Sequence, residues 1–175
     1  TTNVSEALYS HDSDQTLYVT KSQVLTSLFP PNQKFLNDFP EAERFTVVKR
    51  KTVAVKALDN LQLHESIQFM KIDTQGSEYE IMLGAKKAIT QSVLGLEVEV
   101  NFVERYKGQK HFSQVDAWLR DRGFVLFDIG AGYWKRAQGR DYGWRKGQII
   151  MGDALYLASE DRMAGALRDS SQPVS

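Results

Sequence analysis

The sequence predicts an α/β domain: a mostly parallel sheet with crossover helices, preceded by an N-terminal β-hairpin. Three observations lead there. Apolar runs at 67–72, 93–100 and 124–129 alternate with two stretches of helical periodicity, the order a parallel sheet with crossovers requires. A fourth run, at 148–158, follows the third after only a loop rich in glycine and aromatic residues, so these two strands are expected to pair antiparallel. At the start, runs at 4–9 and 15–20 flank Ser10-His11-Asp12-Ser13-Asp14, whose small polar side chains favour the turn of a hairpin.

The elements between follow from local chemistry. Residues 21–45 carry Pro30, Pro31 and Pro40 among Phe29, Phe35, Phe39 and Phe45, which predicts an irregular segment pinned down by aromatic side chains. Residues 46–56, rich in Val and Thr, read as extended, and 57–61 as a short helix. A helix over 77–90 has Ile81, Met82, Ala85, Ala88 and Ile89 on one stripe, with Ser77 and Glu80 spaced as a capping box. The next helix, 113–122, buries Val115, Trp118 and Leu119 and stops at Gly123. From Ser159 onward the chain turns polar and reads as a flexible tail.

Bulk properties mainly exclude. A chain of 175 residues suits one domain and leaves no room for a second complete one. Lys plus Arg and Asp plus Glu both number 22, so no overall field draws the protein to nucleic acid or to an anionic membrane. The absence of cysteine removes disulfides, thiolate metal sites and cysteine nucleophiles, and makes the cytoplasm the default compartment. No apolar run approaches the ~20 residues that span a bilayer. His11, His64 and His111 each read as surface or turn residues.

Glu97 and Glu99 stand out because a central parallel strand normally reads as a continuous apolar run. Here two carboxylates share one face with Asn101. Burying them unpaired is too costly, so they face either a polar cleft, as candidate catalytic groups, or solvent. With Asp73 they offer oxygen ligands for a divalent cation, but no ligand spacing supports one and no metal is expected.

Phe69-Met70-Lys71-Ile72-Asp73-Thr74-Gln75-Gly76-Ser77-Glu78, continuing to Leu83-Gly84-Ala85, closely resembles the K-I-D-x-x-G-x-E-x-x-x-L-x-G-A signature of the FkbM methyltransferases. Around it, Leu58-Asp59-Asn60-Leu61, Leu96-Glu97-Val98-Glu99-Val100, Tyr106-Lys107-Gly108-Gln109 and Asp153-Ala154-Leu155-Tyr156 resemble further segments of that family in the same order. The resemblance implies a partial Rossmann-like sheet with an antiparallel C-terminal edge strand, S-adenosylmethionine (SAM) as cofactor, and O-methyl transfer to a small-molecule or glycan hydroxyl. Ligands in such sheets lie beyond the carboxyl ends of the strands. Asp73 would then be catalytic and, with Gln75, cofactor-binding; otherwise its carboxylate accepts bonds from the turn that follows. Glu78 reads either as a substrate contact or as a first-turn carboxylate favoured by the helix dipole.

The glycine-bearing turn that holds the cofactor in this family is not found before Asp73, since residues 1–75 contain no glycine. Residues 1–158 are therefore expected to be the C-terminal portion of one methyltransferase domain. Asp128-Ile129-Gly130-Ala131-Gly132 imitates that turn, but no amphipathic helix follows to meet a ligand. The loop after it mixes Tyr133, Trp134, Tyr142 and Trp144 with Lys135, Arg136, Arg140, Arg145 and Lys146. Tyr133, Trp134 and Arg136 are candidate acceptor-binding residues, the bland alternative being a solvated loop covering the sheet edge. Nucleic-acid binding by this loop is disfavoured by the neutral chain. The competing overall reading is a non-catalytic relative that binds a glycan or a protein.

Overall fold

The computed structural model describes residues 5–63, 66–138 and 146–164. His64 lies outside them, as do Arg140, Tyr142, Trp144 and Arg145 of the basic and aromatic loop and residues 165–175 of the expected tail. Strands β1 (Ala7–Leu8), β2 (Ser13–Thr20) and β3 (Val47–Lys56) form a sheet in the order β1-β3-β2. The expected hairpin is thus corrected: β3 lies between the two strands, parallel to β1 and antiparallel to β2. The physical reason is ladder length. β2 pairs along its whole length with β3, from Ser13 opposite Val55 to Thr20 opposite Val47, whereas β1 has only two residues to offer. Asp12 fixes the turn to the end of β3 by accepting bonds from the Ala57 amide and the Asn60 side chain, each at 2.9 Å.

The segment rich in proline and phenylalanine that joins β2 to β3 is irregular apart from short turns and the single helical turn α1 (Gln33–Leu36), with Phe39 and Phe45 buried. The second sheet comprises β4 (Phe69–Ile72), β5 (Gly95–Asn101), β6 (Phe124–Trp134) and β7 (Gln148–Ala158), in the order β4-β5-β7-β6. β4 and β5 are parallel, and β7 runs antiparallel to both its neighbours. Two corrections follow. The sheet is mixed rather than mostly parallel, and the antiparallel C-terminal strand is internal, β6 being the edge. The crossover out of β5 sets β6 down one strand too far to pair with it, and the returning chain fills the gap with ladders to both sides.

Three helices cover one face of this sheet: α2 (Glu78–Gly84), α3 (Lys86–Gln91) and α4 (Phe112–Arg120). Ile81, Met82, Ile89, Val115, Trp118 and Leu119 pack there against Met70, Ile72, Leu96, Val98, Val100 and Tyr156. Each fully buried Leu or Ile contributes about 1.5–3 kcal/mol of transfer free energy. The alternate residues of the strands, Lys71, Glu97, Glu99 and Asp153 among them, belong to the other face.

The single helix expected over 77–90 is broken at Ala85, whose dihedrals (φ −108°, ψ 16°) leave the helical region. Asp59 caps the second piece, accepting bonds from the amides of Lys87 (2.7 Å) and Ala88 (3.1 Å). At Gly84 a Cβ would lie 1.9 Å from the Tyr9 carbonyl oxygen, so only glycine lets the N-terminal segment approach here. The capping box is also corrected: the Ser77 hydroxyl donates to the Thr74 hydroxyl (3.0 Å) and bonds no helix amide. At α4, His111 stands at the N-cap, and Gly123, with φ +76°, ends the last turn. The glycine motif around Asp128 lies inside β6, Gly130 opposite Asp153 and Gly132 opposite Met151, so it is strand and not a cofactor turn. The first residues of the expected tail are tied to the body, with Arg162 donating to the carbonyls of Ile89, Val93 and Arg122 and stacking on Phe124.

Candidate active site

β4 and β5 run in register from Phe69 opposite Gly95 to Ile72 opposite Val98, so Asp73, the next residue, comes up beside Glu99 at the carboxyl ends of the strands. Glu78, from the first turn of α2, completes a cluster: carboxylate oxygens of Asp73, Glu78 and Glu99 lie within 4.8 Å of one another. Their surroundings differ sharply. Asp73 is exposed, whereas Glu78 and Glu99 are 3% and 6% exposed.

Glu99 is held by Arg105, a residue that sequence reading missed. The chain turns back after β5, and the Arg105 guanidinium donates to Glu99 Oε2 and to Asn101 Oδ1, both at 2.7 Å. Glu99 and Asn101 share a strand face, so together they grip one cation. Arg105 is itself only 1% exposed. Burial pushes the Glu99 carboxyl up to about 7, against the pull of Arg105 and helped by the negative charges of Glu78 and Asp73.

Glu78 shapes the turn between strand and helix. One carboxylate oxygen accepts the amides of Thr74 and Gly76, both at 2.9 Å, and the other lies 3.1 Å from the Gly76 nitrogen. Burial raises its pKa while these amides act in the opposite direction. The glutamate thus sits beneath the turn, and Asp73 and Gln75 are displayed above it. Gln75 pays for its place with a left-handed backbone (φ +59°), uncommon for a residue with a side chain. It is held there from three sides: Ser27 donates its hydroxyl to the Gln75 carbonyl at 2.6 Å, the Gln75 amide donates to Asp73 Oδ1 at 3.1 Å, and the Tyr106 hydroxyl lies 3.3 Å from Gln75 Oε1. Gly76 follows with φ +113°.

Tyr106 is fully buried, and burial raises its phenol pKa above the usual value. Its hydroxyl also donates to the Leu25 carbonyl at 3.0 Å, tying the site to the segment before β3. The family motif from Tyr106 to Gln109 therefore has a structural use: the Gln109 side chain accepts the Tyr106 amide at 2.8 Å and donates to the Val103 carbonyl at 3.1 Å.

The remaining candidates lie elsewhere. Glu97 is ion-paired with Lys71 across β4 and β5 on the more open part of the sheet face, and this pair raises the Lys71 pKa. Trp134 packs against Phe39 and Phe45 with ring centroids 5.5 and 6.2 Å apart. Tyr133 is partly exposed beneath the Lys146 ammonium, which sits 5.1 Å from its ring centroid. Arg136 is engaged by Asp38 and by the Gln148 side chain. The structure thus gathers Asp73, Gln75, Glu78 and Glu99 into one site and puts Tyr133, Trp134 and Arg136 around the end of β6. Because β6 points the same way as β4 and β5, both groups occupy the same end of the sheet.

A cation would find this cluster largely committed. The Glu78 oxygens bind backbone amides, and Glu99 Oε2 binds Arg105. Among the described residues no helix is long and apolar enough to cross a membrane. No curated protein and no solved structure matches the chain. A family model described as the methyltransferase FkbM domain matches residues 2–126, which include β4, the turn, α2, β5 and Arg105. The chain therefore belongs to the FkbM methyltransferase domain family.

Proposed function

We propose that the protein is a SAM-dependent O-methyltransferase acting on a hydroxyl of a sugar, glycolipid or other small natural product, with residues 1–158 forming the acceptor side of a Rossmann-like domain. The observation that carries this reading is the exposed Asp73 carboxylate at the end of β4, backed by the buried Glu99 whose pKa lies at about 7.

The residues present fit a sulfonium-bearing cofactor. Asp73 is the exposed carboxylate of the cluster, with Gln75 beside it, and can face a sulfonium cation while Glu78 and Glu99 stay engaged below by backbone amides and Arg105. Beside the same turn lies an apolar cavity of about 340 Å³, lined by residues including Leu8, Met70, Ile72, Thr74 and Ile81. Asp73 and Gln75 would hold the charged part of the cofactor, which when bound supplies an electrophilic methyl group.

The chain's own residues do the rest. Asp73 accepts a hydrogen bond from the acceptor hydroxyl, aims its oxygen and takes its proton as the oxygen becomes nucleophilic. Glu78 keeps the turn rigid, so that Asp73 and Gln75 are presented in one geometry. Arg105 fixes the buried Glu99 carboxyl in one place behind Asp73. A neutral chain without cysteine, acting on small hydroxylated molecules, suits the cytoplasm.

The test is to supply the intact protein with SAM carrying a labelled methyl group and a panel of hydroxylated sugars and glycolipids, and to identify the product by NMR. A methyl ether supports the reading. Label on nitrogen or carbon, or no transfer to any acceptor, contradicts it.

A further inference from the structure

At the carboxyl end of β6 a second cavity of about 340 Å³ opens between this strand and the segment that precedes β3. Its walls include Phe39, Phe45, Tyr133 and Trp134, and its rim carries Glu41 and Arg44. Glu41 has a left-handed backbone (φ +61°), a conformation that a side-chain-bearing residue keeps only where its surroundings impose it. It is ion-paired with Arg44 at 3.2 Å, with both side chains largely exposed.

We propose that this cavity is the recognition subsite for the acceptor and that it takes a neutral pyranose ring. The inference rests on the methyl-transfer reading above and names its substrate class. The volume falls at the lower end of the roughly 300–1,000 Å³ usual for small-molecule sites. Aromatic walls suit the C–H face of a sugar ring, since such side chains offer a large apolar body. A carboxylate and a guanidinium side by side present acceptors and donors together, matching hydroxyl groups that both give and receive hydrogen bonds. Glu41 and Arg44 cancel in charge, which leaves the pair suited to a neutral polar ligand, and a purely apolar ring leaves it unanswered. Lys135, which also lines the cavity, has an interaction of its own.

Packed side chains lie between the cavity and the catalytic turn. Trp134 packs on Phe45, Phe45 lies 6.1 Å from Tyr106, the Tyr106 hydroxyl approaches Gln75, and Gln75 donates to Asp73. A ring seated here thus lies at the same end of the sheet as Asp73 but with Phe45 and Tyr106 between them, as a unit of a longer acceptor remote from the hydroxyl that is methylated.

The experiment is an NMR titration of the isotopically labelled full chain with the methyl α-glycosides of glucose, mannose, galactose and rhamnose, and with glucose 6-phosphate and p-cresol as contrasting probes. At least one neutral glycoside is expected to shift the Trp134 indole and Arg44 signals. Arg44→Ala and Glu41→Gln should each weaken that binding about tenfold, the loss of one charge-assisted hydrogen bond, while Glu43→Gln beside the cavity leaves it unchanged. No shift with any glycoside, shifts that map away from this cavity, or tighter binding of the phosphosugar or the phenol overturns the proposal. Glycoside binding here without methyl transfer by the intact protein upholds the subsite and sinks the reading it deepens. Methyl transfer to a sugar without these shifts does the reverse.

Discussion

Arg105 and Glu99 form a 2.7 Å ion pair with both side chains buried, and Asn101, two residues further along the strand and on the same face, holds the same guanidinium. A buried pair is a weak source of net stability, because two desolvation penalties stand against one attraction. Removing one partner is another matter. Arg105→Leu leaves Glu99 buried beside Glu78 and Asp73 with no cation, and should destabilise the fold by about 3–5 kcal/mol in chemical denaturation. Arg105→Leu combined with Glu99→Leu should recover much of that loss. A double variant no more stable than Arg105→Leu alone contradicts this account of the pair.

The raised Glu99 pKa makes stability depend on pH. The carboxyl titrates at about 7 when folded, against 4.5 as the reference value, so the folded state binds its proton more tightly. Its contribution is fully present below 4.5, declines as pH rises, and is lost above about 7. Glu99→Gln should flatten the pH dependence of unfolding free energy across that window. An unchanged slope would place the titration on another group.

Glu78→Gln replaces an acceptor of two backbone amides by a group that must turn one N–H toward them. Loss of about 1–3 kcal/mol is expected. Hydrogen exchange at the Thr74 and Gly76 amides should quicken more than at the β5 amides. Uniform exchange rates would mean that Glu78 does not hold the turn.

Gly84→Ala drives a methyl into the Tyr9 carbonyl, 1.9 Å away in the present packing. Overpacking of this kind costs about 1–3 kcal/mol, and here the opposing atom is backbone. A melting temperature equal to that of the parent would show that the N-terminal segment yields freely.

What was legible in the sequence was local. The bounds of β7, the stop at Gly123 and the presence of β4, β5 and α4 follow from apolar periodicity and from helix-ending chemistry that each segment carries within itself. Strand order does not: nothing in Gln148–Ala158 says that it inserts between β5 and β6, and nothing in 4–20 says that β3 will separate β1 from β2. The helix break at Ala85 was hidden because the apolar stripe runs on unbroken, while its causes, Tyr9 and Asp59, are distant in sequence. At the candidate site, Asp73 is read from the family resemblance together with its place at a strand end, and the structure sets it exposed there. Glu78 matched the signature but was read without its role, since accepting Thr74 and Gly76 amides depends on how the turn folds back. Arg105 gave no signal, because an arginine four residues past a strand announces neither its burial nor its partners. Two glutamates in an apolar strand were the available hint that a buried cation was needed nearby.

The central claim is that Asp73 is the working group of a methyl-transfer site. Its most direct test compares the intact protein with its Asp73→Asn variant for transfer of labelled methyl from SAM to an accepted sugar, with circular dichroism and melting temperature measured alongside. Asp73 is exposed and its neighbour Glu78 carries the turn, so the fold and melting temperature should be preserved. Turnover should fall by about 10²–10⁴-fold, the usual worth of a positioned general base. Unchanged turnover in a folded Asp73→Asn protein would contradict the account.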